Sequence, residues 1–155
     1  MKNISKVLLI VLMICLLLIM AACPNGTTNG DSEQGDPDEV YSMKITIGNR
    51  EFTATLYDTA TAQAFAKLLP MTLDMSELNG NEKYNYLPTT LPTKNERVGN
   101  IEAGDIMLYG NSCVVLFYKS FSTPYSYAKI GKINDISGLQ QAVGSGSVAV
   151  TFQTI

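Results

Sequence analysis

Residues 43–57 read MKITIGNREFTATLY, and this stretch sets a pattern that the rest of the domain repeats. Apolar and polar side chains alternate over residues 43–47 and again over residues 51–57, which is the period of a half-buried β-strand. The Gly48-Asn49 pair between the two runs is typical of a two-residue hairpin turn. The stretch therefore predicts an antiparallel β-hairpin.

The sequence after this hairpin predicts more strands and two short helices. Asp58 is a candidate N-cap for a helix that runs to about Leu69, where Pro70 stops it. Residues 78–100 are predicted to form a long polar loop, and loops of that length often carry function. Further strands are predicted over residues 71–77, 105–109, 113–118, 127–133 and 148–153, and a short helix over 137–143. The fold class is therefore mainly β or α+β, with a closed barrel as one form of it.

The N-terminus has the layout of a secretory signal peptide. Lys2 and Lys6 precede an apolar run from Val7 to Ala22. The ending Ala21-Ala22-Cys23 resembles the lipobox of bacterial lipoproteins, which implies cleavage after Ala22 and acyl chains such as palmitate on Cys23. Residues 1–22 are thus predicted to be removed, and Cys23 to anchor the protein to the membrane bilayer, facing outside the cytoplasm. An uncleaved N-terminal helix is the alternative.

Amino-acid composition distinguishes a polar tether, residues 23–41, from the domain that follows it. Residues 23–41 contain five acids and no base, are poor in apolar residues, and are predicted to form a flexible acidic tether. They lack the ligand spacing of a calcium loop. The whole chain has 11 basic and 14 acidic residues, and removing the N-terminal lysines and the tether acids leaves nine of each in residues 42–155. This neutral domain has no basic stripe, so no nucleic-acid partner is expected.

The sequence offers little catalytic chemistry. It contains no histidine, so neither a Ser-His-Asp triad nor a His-ligated metal site is expected. Cys113 would be the only free thiol after export, and its apolar neighbours predict a small buried hydrophobe. No cofactor and no metal are expected, and a role as an enzyme is the less favoured interpretation.

Several short segments resemble cyclophilins. The segment Leu56-Tyr57-Asp58 through Leu68 resembles their first strand-to-helix connection, and Tyr127-Ala-Lys-Ile-Gly-Lys-Ile133 resembles a later strand. Gly104-Asp105-Ile106 and Leu108-Tyr109-Gly110 look more like the bacterial cyclophilin-like domain family, a divergent relative often found on exported proteins. The resemblance implies a cyclophilin-like closed β-barrel with two short helices over residues 42–155.

The catalytic set of cyclophilins does not carry over. Those enzymes isomerise X-Pro bonds with an arginine and a proline pocket bordered by tryptophan and histidine. Here residues 71–77, the strand after the first helix, contain no arginine, and the only arginines of the chain are Arg50 and Arg97. Tryptophan is absent, and Tyr127 occupies the position of the cyclophilin histidine. The resemblance therefore implies a binding domain without efficient isomerase activity, and a weak or non-standard prolyl isomerase assisting exported proteins is the alternative.

Aromatic residues suggest where a ligand would bind. In the cyclophilin-like topology, the strand at 113–118 and the segment leading into residue 127 border the former proline pocket. The predicted groove for a peptide or small ligand comprises Tyr84, Tyr86, Arg97, Phe117, Phe121, Tyr125 and Tyr127. In the alternative interpretation, Phe117 and half of the tyrosines pack in the core or at its rim. A structural partnership with another envelope protein is a third possibility.

Overall fold

The structure is a computed structural model that describes residues 42–155. The predicted signal peptide, Cys23 and the tether lie outside the described residues. The strands are β1 Ser42–Ile47, β2 Arg50–Leu56, β3 Met71–Leu78, β4 Glu82–Tyr86, β5 Glu96–Arg97, β6 Asn100–Ile101, β7 Asp105–Tyr109, β8 Cys113–Phe117, β9 Phe121–Ser122, β10 Ser126–Ile133 and β11 Val148–Thr154. The helices are α1 Ala60–Ala66 and α2 Leu139–Val143. None of the helices in this range is long and apolar enough to cross a membrane.

Eight of the strands close into an antiparallel barrel in the order β2-β1-β11-β3-β4-β8-β7-β10, because β10 also pairs with β2. The closing seam is short and pairs Gly131 with Leu56, Lys132 with Thr55 and Ile133 with Ala54. A Cβ atom at Gly131 would lie 2.6 Å from the carbonyl oxygen of Thr55, so the two strands approach more closely than a side chain allows. This geometry confirms the predicted fold class.

The opening hairpin forms as its alternation predicts. β1 and β2 pair antiparallel with Ile47 opposite Arg50, across the turn at Gly48 and Asn49. Gly48 has φ 60°, a backbone conformation that glycine adopts without strain. Met43, Ile45 and Ile47 are at most 1% exposed because they all point into the barrel.

Helix α1 begins and ends differently from its prediction. Its N-cap is Thr59, whose side-chain oxygen accepts a hydrogen bond from the Ala62 N–H at 3.0 Å. Asp58 instead accepts a hydrogen bond from the Gln63 side chain. The helix ends at Ala66 rather than at residue 69, and Phe65 on its buried face packs edge-on against Phe152 at 5.6 Å.

The prediction of an uninterrupted loop over residues 78–100 is wrong. β4 lies in this stretch and pairs with β3 on one side and β8 on the other. The two-residue strand β5 follows at Glu96. The alternation of β4 is hidden because polar residues lie on both of its faces, including Lys83, which points inward with Leu116 of the neighbouring strand. A hydrophobic period cannot reveal such a strand.

Two apolar clusters lie on opposite faces of β7 and β8. Val114 and Leu116 belong to the main core inside the barrel, together with residues of α1 and α2. Cys113, Val115 and Phe117 alternate with them and belong to a second cluster on the outer face. Both clusters are built from residues 43–152, so residues 42–155 contain the whole described core and form the unit for the experiments below.

Candidate functional site

The outer face of β4, β8 and β7 carries a row of aromatic side chains. Tyr86, Cys113 and Tyr109 are direct neighbours across these three strands and therefore share one face. Tyr86 is 63% exposed, Tyr109 is 46% exposed, and Tyr125, from the segment before β10, is 58% exposed. We use the name tyrosine face for the surface that Tyr84, Tyr86, Tyr109 and Tyr125 form.

The rings of the tyrosine face hold one another in place. The centroids of Tyr84 and Tyr86 are 6.2 Å apart with the rings nearly perpendicular, and those of Tyr109 and Tyr125 are 6.1 Å apart in a similar arrangement. Tyr109 also packs against Tyr127 at 5.6 Å. Edge-to-face pairs of this kind are favourable beyond their burial, so the exposed rings are ordered before any ligand arrives.

Three of the predicted groove residues pack in the second apolar cluster rather than on the exposed face. Phe117 is fully buried and Tyr127 is 6% exposed, and their rings pack edge-to-face at 5.6 Å. Phe121 is half-buried and packs on Phe117 at 5.8 Å. Tyr127 connects this packing to the face through its contact with Tyr109, whereas the ring contacts of Phe117 are with Phe121 and Tyr127.

Tyr109 was not among the predicted groove residues, although it lies at the centre of the face. The strand containing it was predicted, and its alternation places residue 109 on the same side as Met107. This side of the strand becomes part of a candidate binding surface only once β8 and β4 are known to pair beside it. Tyr109 is therefore identified by the register of β4, β8 and β7, which cannot be read from the sequence.

The two arginines of the chain lie away from β4, β8 and β7. Arg97 belongs to β5, pairs with Ser126 at the margin of the face, and donates from Nε to the carbonyl oxygen of Pro124 at 3.3 Å. Arg50 lies in the β1–β2 hairpin beside the backbone of Gly138, at the start of α2. Only Arg97 is therefore close to the predicted groove.

The Tyr127 hydroxyl and the Cys113 thiol beneath the face remain protonated at neutral pH. Burial, together with the charge of Glu82, raises the pKa of Tyr127 to about 12. Burial also raises the pKa of the Cys113 thiol, so it is a poor nucleophile. Within residues 42–155 no group of three or more Cys, Asp or Glu side chains is placed to hold a metal ion. The face can therefore bind through apolar contact and neutral hydrogen bonds.

A buried ionic network that the sequence analysis did not predict is centred on Lys83. The Lys83 side chain is fully buried and donates to Glu77 at 2.5 Å and to the carbonyl oxygens of Gly144 and Gly146. The hydroxyl of Tyr118 donates to both oxygens of Glu77 at 2.9 Å. The network ties the loop after α2 to the barrel wall, and its role is structural.

Comparison with known proteins agrees with this architecture. Residues 45–153 match the profile of the Cyclophilin-like family. The fold is also similar to the solution structure of a hypothetical protein from Archaeoglobus fulgidus, with a TM-score of 0.50 and 19% identity over 74% of this chain and 94% of that one. At this identity the likeness concerns the fold alone. No protein with a curated description matches the sequence. Because the profile covers nearly the whole closed barrel, the chain belongs to the cyclophilin-like family.

Proposed function

We propose that the protein is a membrane-anchored extracytoplasmic lipoprotein whose cyclophilin-like domain binds a peptide segment, such as part of another envelope protein, across the tyrosine face. One observation carries the binding proposal: Tyr86, Tyr109 and Tyr125 are each about half exposed while fixed on a barrel wall. Tyrosine offers a large apolar ring and a hydroxyl at low entropic cost, which is why it is frequent at binding surfaces.

The open shape of the face favours a peptide over a small molecule. Small ligands are usually buried for most of their surface in concave sites. Two depressions of the barrel, one beside Arg50 and one beside Lys132, include none of the exposed tyrosines. Neighbouring rings on the face are 6.1 and 6.2 Å apart. Same-side residues of an extended peptide are spaced by roughly 6.6 Å, which suits these rings.

The geometry supports binding rather than efficient isomerisation. Rotation about the peptide bond has a barrier of about 20 kcal/mol, so an isomerase needs a group that interacts with the prolyl amide. Tyr127 is buried beneath the face, and its hydroxyl stays protonated. Arg97 already donates to a backbone carbonyl at the margin.

A peptide titration tests the tyrosine face. The probe is succinyl-Ala-Ala-Pro-Phe-4-nitroanilide, added to ¹⁵N-labelled residues 42–155 and followed by NMR. We expect amide shifts along β4, β7 and β8. The triple variant Tyr86→Ser/Tyr109→Ser/Tyr125→Ser should bind at least about tenfold more weakly, because exposed aromatic anchors dominate such surfaces. Tyr57→Ser is the matched control, since Tyr57 is 38% exposed but lies outside the face.

The same peptide tests the alternative. Faster cis/trans exchange with the wild-type domain, abolished by Arg97→Ala, would overturn the binding-only interpretation in favour of a weak isomerase. Unchanged amide shifts on β4, β7 and β8 at saturating peptide would show that the tyrosine face is not the site.

The anchor has its own test, with the chain's other cysteines as controls. In a bacterium fed labelled palmitate, the full chain should incorporate the label, and Cys23→Ser should lose it because the acyl acceptor is gone. Cys15→Ser and Cys113→Ser should keep the label, since Cys15 lies in the predicted signal peptide and Cys113 is buried in the second apolar cluster. Label retained by Cys23→Ser would contradict the lipoprotein assignment.

A further inference from the structure

A second candidate site lies apart from the tyrosine face. A depression of about 680 Å³ opens between the β6–β9 strand pair and the segment that follows β10. Its volume falls within the range of about 300–1,000 Å³ that is typical of small-molecule sites. The side chains that define its chemistry are Asn100, Glu102, Phe121, Lys132, Asn134 and Ile136. We refer to it as the β6–β9 cleft.

Two asparagines give the cleft hydrogen-bond donors. The side-chain oxygen of Asn100 accepts from the Ser122 hydroxyl at 2.8 Å, and that of Asn134 accepts from the Thr55 hydroxyl at 2.9 Å. These bonds leave each amide NH₂ group for other partners. Within residues 42–155 neither amide nitrogen makes a hydrogen bond. The cleft therefore offers two donors to a carbonyl or hydroxyl oxygen.

The charges at the cleft disfavour an anionic ligand. Lys132 forms an ion pair with Glu102, and its Nζ lies 3.6 Å from Asp105. One cation thus faces two carboxylates, so a ligand anion would find no free positive charge and would be repelled. The side chain of Glu102 is 68% exposed and can accept hydrogen bonds from a ligand hydroxyl.

Apolar surface lies next to these polar groups. Ile136 is 46% exposed and Phe121 is half-buried. A sugar ring matches this mixture, because its C–H faces pack on apolar side chains while each hydroxyl both donates and accepts.

We propose that the β6–β9 cleft is a binding site for a neutral saccharide. The proposal goes beyond the peptide site and uses none of the tyrosines. The probe is N,N′-diacetylchitobiose, whose acetamido carbonyls can accept from the asparagine amides. Titrated into ¹⁵N-labelled residues 42–155, it should shift amides of residues 100–103, 120–122 and 132–136. A dissociation constant of about 1 mM is expected for so open a site.

An isosteric double variant replaces both amide donors with carboxylate oxygens, which only accept hydrogen bonds. Asn100→Asp/Asn134→Asp keeps an oxygen for Ser122 and Thr55 but removes both amide NH₂ groups, so it should fold normally and bind the disaccharide about tenfold more weakly. Asn49→Asp makes the same change in the β1–β2 turn and should bind as the wild type does. Ile136→Ala, which trims the apolar wall, should also weaken binding.

Three results would overturn the proposal. One is an unchanged spectrum of the cleft at disaccharide concentrations well above the expected dissociation constant. Another is stronger shifts of the cleft by the peptide acetyl-Ala-Ala-Ala-methylamide. The third is tighter binding of deacetylated chitobiose, a cation, which would mean that Glu102 and Asp105 recognise charge. The triple tyrosine variant should bind the saccharide as the wild type does. Failure of the peptide-binding proposal would therefore be distinguishable from failure of the saccharide proposal.

Discussion

Replacing Lys83 with methionine is expected to lower the free energy of unfolding by about 3 kcal/mol. Removing one partner of a buried ion pair leaves the other charge uncompensated, which typically costs 3–5 kcal/mol. We expect a loss at the lower end of this range because the Glu77 side chain is 23% exposed and can be partly hydrated. The carbonyl oxygens of Gly144 and Gly146 also lose their bonds to Lys83. Urea unfolding of residues 42–155, followed by circular dichroism, measures the change.

Lys119 supplies a matched control for this prediction. Its Nζ lies 5.8 Å from the centroid of the Tyr118 ring, much as that of Lys83 does at 5.6 Å, but Lys119 is exposed. Lys119→Met should change stability by less than about 0.5 kcal/mol. The double variant Lys83→Met/Glu77→Gln should lose less than the sum of its single variants, because the orphaned charge is gone. Equal losses for Lys83→Met and Lys119→Met would refute a buried ionic network.

The same network predicts a pH dependence. Burial alone would raise the pKa of Glu77, but hydrogen bonds from Lys83, Tyr118 and the Gly80 N–H outweigh it and hold the pKa below that of a free glutamate. A depressed carboxyl pKa contributes stability that is fully present above the unfolded-state value and is lost as the pH falls through the folded-state value. The stability difference between wild type and Glu77→Gln should therefore shrink below about pH 4.5. A difference that stays constant down to pH 2 would contradict this role.

Replacing Gly131 with alanine is expected to lower the free energy of unfolding by about 2–3 kcal/mol, in the range of overpacked sites. The new Cβ would lie 2.6 Å from the carbonyl oxygen of Thr55 and 3.2 Å from the Cα of Leu56. Both contacts are with backbone, so no side-chain rotation relieves them. Because β10 and β2 pair over only three residues here, the barrel should loosen at its seam. Urea unfolding measures the loss of stability, and hydrogen exchange of the Asn134 amide, which donates to the Thr53 carbonyl oxygen on β2, measures the loosening of the seam.

Gly146 is the control glycine. A Cβ at this position meets no atom within 4 Å, and its φ is not in the left-handed region. Gly146→Ala should leave stability within about 1 kcal/mol of wild type, with any change towards greater stability. If Gly131→Ala proved equally harmless, β10 and β2 would not be held as closely at the seam as the structure shows.

Most strands could be predicted from the sequence because their inward faces are apolar and their outward faces polar. The runs 43–47, 51–57 and 148–153 alternate in this way and correspond to β1, β2 and β11, although β2 ends one residue earlier, at Leu56. β4 could not be found by the same criterion, since an ion pair and hydrogen bonds, rather than apolar burial, accommodate Lys83 inside the barrel. The cap of α1 was misplaced by one residue because Asp58 and Thr59 are both good capping residues.

The sequence by itself determined the class of fold, the family resemblance and the absence of histidine and tryptophan chemistry, since these depend on local period and composition. Only the tertiary structure decided which aromatic residues are exposed. Tyr86 and Tyr109 lie on one face, on either side of Cys113, because β4 and β7 both pair with β8, whereas Phe117 is buried. The β6–β9 cleft also required the fold, because it joins residues from three distant segments. Strand register and barrel closure are long-range properties, and a local pattern does not encode them.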